Sequence, residues 1–245
     1  YLAFRCGMQE VYTYPWMNDV FVNAVLQSTD GILRLSTPPA PDLSCIRSSL
    51  LPNLCEAVAK NERYFNDFAI FEEAQVFFDR NYTSVYDPTE SLPEQRRHIG
   101  AAFASDVKDI NTLFREVKGV LEYMPRYTHM EAFEFRKEEK PVWADNVVWL
   151  NIYLGDKRIG DMGLVAKKVS MDCGIKNLSV MLFELDAAKL QPLKSRTNKF
   201  THLAEYPETD YDISMLFDSN VEWNDIYDAV MGQKKASALL KEASF

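Results

Sequence analysis

Residues 47–77 read RSSLLPNLCEAVAKNERYFNDFAIFEEAQVF, and this stretch decides the fold because it joins a well-signalled helix to a long strand across one short turn. Ser48 and Ser49 stand where side-chain oxygens can accept from the free amides of a first helical turn. Pro52 falls in that turn, where a missing N–H is harmless, and Leu51, Leu54, Cys55, Val58 and Ala59 share one face. After Asn66 and Asp67 the period changes. Phe68, Ile70, Ala74, Val76 and Phe78 alternate with other residues, which predicts a strand packed against the helix. Glu72 and Glu73 are neighbours on that strand, so they project to opposite faces and do not form a paired acid and base; one is expected in solvent, the other against an arginine.

Upstream, Tyr1 to Cys6 reads as the end of a helix closed by Gly7, and Gln9 to Tyr14 as a strand ended by Pro15. Asn18 or Asp19 caps a short helix through Leu26. Asp30-Gly31 turns the chain into a strand over Ile32 to Leu35, and Pro38-Pro39-Ala40-Pro41 is an extended connector. Downstream, Arg80 to Glu94 is polar and turn-rich and reads as a surface excursion between hairpin strands, with the sheet resuming at Arg96 to Phe103. Ser105 or Asp106 caps a helix whose apolar face is Ile110, Leu113, Phe114, Val117, Val120 and Leu121, with Pro125 as its stop. Phe133 to Lys140 is a solvated strand or loop.

Val147 to Tyr153 and Arg158 to Leu164 flank the turn Leu154-Gly155-Asp156-Lys157 and give the clearest hairpin. A helix over Ala166 to Asp172 and a strand over Leu178 to Asp186 complete a sheet of six or seven strands. Lys189 to Arg196 is a linker. Tyr211 to Phe217 then reads as a strand, Ser219 or Asn220 as a cap and Val221 to Val230 as a helix of a second domain. There is no G-x-G-x-x-G, no Walker sequence and no βαβ alternation, so an antiparallel α+β sheet is the expected class.

Composition narrows the function. The chain has 245 residues, 47% of them hydrophobic, and a net charge of −9, which disfavours a strong autonomous nucleic-acid binder. No apolar run approaches the ~20 residues of a membrane helix. Cys6, Cys45, Cys55 and Cys173 show no C-x-x-C pair, which points to buried thiols in a reducing compartment, and His98, His129 and His202 form no metal-binding pattern. The sequons at Asn81 and Asn177 read as loop or turn residues. A start at Tyr1 in an apolar helix and an end at Phe245 suggest a piece of a longer chain.

The groups chemically able to react each have a structural explanation. Cys45, Ser48 and Ser49 lie near a helix start, where a nucleophile can be activated, but no base accompanies them and capping explains the serines. Glu205, Glu208, Asp210 and Asp212 surround Pro207, with His202 nearby, and read as a solvated acidic turn. Gly160 and Gly163 read as a sheet-to-helix turn, since a phosphate cradle needs a cation beside it. No metal ligands and no catalytic residues are assigned.

Several segments in order resemble the catalytic-like module of the phenylalanyl-tRNA synthetase β subunit family. They are Arg5 to Tyr14, the Ser49-Leu50-Leu51-Pro52 helix start, and Ile70-Phe71-Glu72-Glu73-Ala74-Gln75-Val76-Phe77. The hairpin from Ile152 to Gly163 resembles "IYLGxKRIGxxG", Phe183-Glu184-Leu185-Asp186 matches "FELD", and Tyr206-Pro207 with Asp212-Ile213 follow. The resemblance implies a class II synthetase-like antiparallel sheet flanked by helices over 1–188, a linker over 189–205, and over 206–245 the first βα unit of a ferredoxin-like anticodon-binding domain. Tyr211 stands where that family more often has arginine.

The resemblance further implies a module without its own active site. Class II enzymes hold the ATP phosphate with an arginine just after "VF", and here that position is Phe78; Arg80, two residues on, is the one candidate phosphate contact. At the third signature the chain reads Val165-Ala166-Lys167, where the family carries "xHP". By the resemblance, the chain holds no cofactor, while the complete enzyme uses ATP and Mg2+. The partners implied are the α subunit in an (αβ)₂ assembly and, through it, tRNA(Phe), in the cytoplasm and away from membranes. A freestanding enzyme built on the class II fold, which would bind ATP alone, and an unrelated interaction domain are the alternatives.

Overall fold

In the computed structural model, the turn at Asn66 joins a helix to a 17-residue strand. The structure describes residues 1–83, 89, 91–107, 109–190, 209–218, 220, 221, 223–233, 240 and 243. Helix α2 (Leu51–Asn61) starts one residue later than its serines suggest, with Leu50 at the cap position. Ser49 Oγ still accepts from Leu51 N at 3.1 Å. Leu51, Leu54, Cys55 and Val58 are buried and Ala59 packs against the same core. Strand β4 (Asp67–Thr83) sends Ile70 and Val76 into that core, with Phe68, Ala74 and Phe78 packed at its margin.

The short elements before α2 are β1 (Gln9–Glu10), β2 (Trp16–Met17), α1 (Asp19–Val25) and β3 (Cys45–Ile46). After it come β5 (Ser91–Ser105), α3 (Ile110–Thr128), β6 (Glu134–Arg136), β7 (Ala144–Leu154), β8 (Lys157–Val165), α4 (Lys167–Asp172) and β9 (Ser179–Asp186), followed by a 3₁₀ turn at Ala187–Lys189. The main sheet has seven strands in the order β1-β4-β5-β9-β8-β7-β6. Every pair is antiparallel except β1 with β4, which is parallel, and β2 pairs with β3 in a separate ribbon.

The sheet separates two cores. Helices α1, α2 and α4 contribute to one, which holds Leu50, Leu54, Ala102, Ala104, Trp149, Val180 and Leu182. Helix α3 closes the other with Leu113, Val117, Leu121 and Met124 over Phe103, Ile152, Met162, Met181 and Phe183. Period-two alternation makes this possible: odd and even residues of β5 and β9 serve opposite helical layers.

Several expectations need correction. Strand β1 stops at Glu10 because Glu72 takes the backbone N–H of Thr13 (3.1 Å) and its hydroxyl (2.7 Å), which draws the chain out of the ladder. Ile32 to Leu35 forms a single bridge at Arg34 with Cys45. Of the excursion expected over 80–94, residues 80–83 extend β4 and 91–94 open β5, so the hairpin strands reach further than the sequence suggests, while 84–88 and 90 lie outside the described residues. Asn81, Tyr82 and Thr83 pair with Pro93, Leu92 and Ser91 past an irregularity after Phe78, so the Asn81 sequon lies in a strand. A ribbon extending past the core can be polar, because its backbone bonds do not require buried side chains.

Helix α3 is capped by Asp109, whose carboxylate accepts from Asn111 N at 3.1 Å and Thr112 Oγ1 at 2.8 Å, because β5 continues through Ser105. Pro125 does not stop it. Burial of Met124 and Pro125 carries the helix to Thr128, and His129 closes it in the left-handed region with its N–H on Pro125 O.

The chain divides into two compact units, Tyr1–Asn198 and Lys199–Phe245, although residues 191–208 lie outside those described. In the second, α5 (Trp223–Gly232) begins two residues after the expected start, and Trp223 stands against Tyr227 with ring centroids 6.3 Å apart. The strand expected over Tyr211 to Phe217 does not form. A strand needs a neighbour for its ladder, and among the described residues none runs beside this segment, leaving Tyr211, Ile213 and Leu216 exposed. Ser219 lies outside the described residues.

Candidate functional site

On the face that carries α2, the strands of the main sheet change character partway along. The register aligns Glu72, Gly100, Glu184, Asp161 and Asn151 across β4, β5, β9, β8 and β7. To one side of this row the same face is Ala102, Ala104, Val180, Leu182 and Val165. To the other side it opens into a cavity of about 350 Å³, whose walls include Phe78, Arg96, His98, Arg158, Asp161, Glu184, Asp186 and Lys189, with Leu51 and Trp143 at the apolar edge.

Glu184 fixes the boundary. One carboxylate oxygen accepts from Leu50 N at 2.8 Å and the other from Ser49 Oγ at 2.7 Å, so a negative charge on β9 holds the N-terminus of α2, where the helix dipole favours it. His98 Nδ1 lies 3.0 Å from the same carboxylate. A carboxylate accepts only, so Nδ1 is the donor of this contact, and the buried Nε2 meets no hydrogen-bond partner among the described residues. At the other end of the row, buried Glu72 meets Arg47 at 2.9 Å, and Arg47 also donates to Gln75 O at 2.7 Å. Glu73, on the opposite face, reaches Arg97 at 3.2 Å near solvent.

The three cations of the cavity each meet a carboxylate. Arg96 donates to Glu94 at 2.6 Å and to Asp186 at 3.2 Å, with its guanidinium over the Phe78 ring. Arg158 forks onto Asp161 at 2.7 and 2.9 Å and reaches Glu139 at 2.6 Å. Lys189 Nζ donates to Arg158 O at 2.8 Å and lies 3.6 Å from Asp186. Burial pushes the Asp161 carboxyl above its ordinary value, while Asn151 and Arg158 pull it back. The cavity therefore carries balanced charge, held in short internal ion pairs.

The sequence candidates fall elsewhere. Arg80 lines a second depression with Asp79, Ser48 and Phe78; it is largely exposed, and Glu94 lies 3.8 Å away. Cys45 is buried in β3, its Sγ 3.4 Å from Asp19. Gly160 and Gly163 are not at a sheet-to-helix turn but within β8. A Cβ on Gly160 would stand 2.1 Å from the Glu184 carbonyl oxygen, and one on Gly163 would stand 3.0 Å from Trp149 Cβ, so close strand packing accounts for both. His202, Glu205 and Glu208 lie outside the described residues, while Asp210 and Asp212 are exposed. Among the described residues, no three His, Cys, Asp or Glu side chains come together as a metal-binding group, and no helix is long and apolar enough to cross a membrane.

Reading the sequence for isolated motifs missed Arg96, His98, Arg158, Asp161 and Lys189. The usable signal was a change along alternating positions. On β5, Arg96 and His98 give way to Gly100, Ala102 and Ala104; on β9, Val180 and Leu182 give way to Glu184 and Asp186. Antiparallel pairing brings the two polar ends together.

Comparison with known proteins bears on the family and the fold. The profile of the family described as the phenylalanyl tRNA synthetase beta chain CLM domain matches residues 1–187. The phenylalanine–tRNA ligase beta subunit of Carboxydothermus hydrogenoformans is 28% identical over 226 residues, covering 88% of this chain and 27% of that relative. The Bacillus subtilis beta subunit is 26% identical over 251 residues, covering 97% and 29%. The chain thus spans less than a third of the length of these relatives. In fold it is similar to pyrrolysyl-tRNA synthetase from Desulfitobacterium hafniense, with a TM-score of 0.59 at 13% identity over 76% of this chain and 63% of that one. The sheet and its flanking helices are those of a class II synthetase, and the chain belongs to the phenylalanyl-tRNA synthetase β chain CLM family.

Proposed function

We propose that this chain is a structural, non-catalytic module of a phenylalanine–tRNA ligase β subunit. It supports an α subunit that performs ATP- and Mg2+-dependent charging of tRNA(Phe) in the cytoplasm. The observation that carries this reading is the self-neutralised cavity: Arg96, Arg158 and Lys189 are each engaged by a neighbouring carboxylate, and Phe78 stands where a phosphate-binding arginine is expected. A phosphoryl group entering this cavity would have to displace those carboxylates, at a cost that a catalytic site avoids.

In this reading residues 1–188 form the module, 189–205 a linker, and 206–245 the opening of an anticodon-binding domain. The exposed aromatic side chains of Phe4, Tyr123 and Tyr127 support a partner-facing surface on the α3 side. The test is co-expression of the chain with a phenylalanyl-tRNA synthetase α subunit, with pull-down and aminoacylation compared against the full-length β chain. Co-purification with the α subunit, together with no ATP–pyrophosphate exchange by the isolated chain, is the expected result. Failure to associate would overturn the reading, and ATP-dependent activity of the chain alone would favour a freestanding class II enzyme.

A further inference from the structure

Arg96 Nη1 and Lys189 Nζ converge on a single oxygen, Asp186 Oδ2, at 3.2 and 3.6 Å. A guanidinium and an ammonium meeting at one point make a strong oxyanion site. Here its occupant is a side chain of the same molecule, 8% exposed. We infer that Asp186 is a built-in anion, which fills a two-cation oxyanion site and thereby keeps phosphate-bearing molecules out of the cavity. This rests on the reading of the cavity as a place where ATP is not handled, and it names the residue responsible.

Both cations are held without Asp186. Arg96 is gripped from its other edge by Glu94, through Nε and Nη2 at 2.6 Å, and its plane lies over Phe78. Lys189 Nζ is tethered by the Arg158 carbonyl at 2.8 Å. Removing the Asp186 charge therefore leaves two positioned donors facing a cavity of about 350 Å³, with room for a diphosphate. Arg158 supplies no third grip, because Asp161 and Glu139 occupy it. Asp186 also uses its other oxygen to accept from Ala188 N at 3.1 Å, a bond that asparagine or serine can keep.

The experiment is calorimetric titration of inorganic pyrophosphate at low ionic strength into the 245-residue chain and into D186N, D186S and D186N/R96Q, each checked by thermal melting. D186N and D186S are expected to bind pyrophosphate about tenfold or more tightly than the unchanged chain, the gain of one charge-assisted contact. D186N/R96Q should lose that gain. Equal binding by the unchanged chain, or no gain in folded D186N and D186S, would overturn the inference. Loss of folding in both variants would also overturn it, since Asp186 would then be a structural requirement. Association with an α subunit is read separately, so failure here is distinguishable from failure of the functional proposal.

Discussion

The two halves of one sheet face obey opposite rules, although they share strands, register and backbone geometry. On β9, Val180 and Leu182 are buried beneath helices, while Glu184 and Asp186, next on the same face, line a polar cavity. The difference is the cover. Helix α2 begins over the boundary row, anchored by Glu184, and runs over the apolar half. Beneath it, water is excluded and a charge without a partner would be costly. Beyond its start, charges persist as mutually neutralising pairs. Where the helix starts thus determines which part of the face is core and which part can meet a ligand.

The boundary should be the most sensitive place to break this division. Glu72 is 1% exposed, is paired with Arg47, and holds Thr13 by two further hydrogen bonds. We predict that Glu72→Ala destabilises the chain by about 3–5 kcal/mol, because it strands Arg47 as a buried charge and frees the segment after β1. Urea denaturation measures this. A loss below about 1 kcal/mol would show that water reaches Arg47 and that the boundary is not dry.

Within the covered half the cost should come from packing. Leu182 is fully buried and lies opposite Ala102 on β5 and Gly163 on β8. Leu182→Ala is expected to cost about 2–4 kcal/mol, from lost transfer energy and the void left between small neighbours that cannot close in. A midpoint shift in urea without a change in slope would confirm a local packing loss, whereas a changed slope would point to a disrupted sheet.

The covered half was largely legible in the sequence and the open half was not, for a physical reason. Phe68, Ile70, Val76, Leu54 and Val58 announce themselves, because burial imposes a period on a contiguous run. The hairpin turn at Gly155 was equally plain: it needs a positive φ, and glycine supplies one at +58°. Arg96, Arg158 and Lys189 sit on three separate elements, so their convergence on Asp186 and Asp161 exists only after register is set. The start of α3 is not legible in the sequence for a related reason. Ser105, Asp106 and Asp109 are all competent caps, and the length of β5, fixed by its pairing with β4 and β9, chooses among them.

The smallest effect is expected in the open half, and pH reveals it. Arg158 is about one-third exposed, so its pair with Asp161 is partly screened, and Arg158→Gln should cost at most about 1 kcal/mol at neutral pH. The sign of its pH dependence follows from Asp161, whose folded-state pKa is raised by burial and pulled back by Asn151 and Arg158. A raised carboxyl favours the fold when protonated, and that contribution is lost as pH rises through its folded value. At neutral pH Asp161 therefore weighs against the fold, and Arg158 limits the damage. The deficit of Arg158→Gln should be greatest at neutral pH and shrink as acid protonates Asp161 in the window above its ordinary value of 3.8. Thermal melts of both proteins between neutral pH and mild acid measure it. A deficit that stays constant across that range would mean that Arg158 acts through Glu139 or through packing of its stem, and that the open half is held by contacts other than its central ion pair.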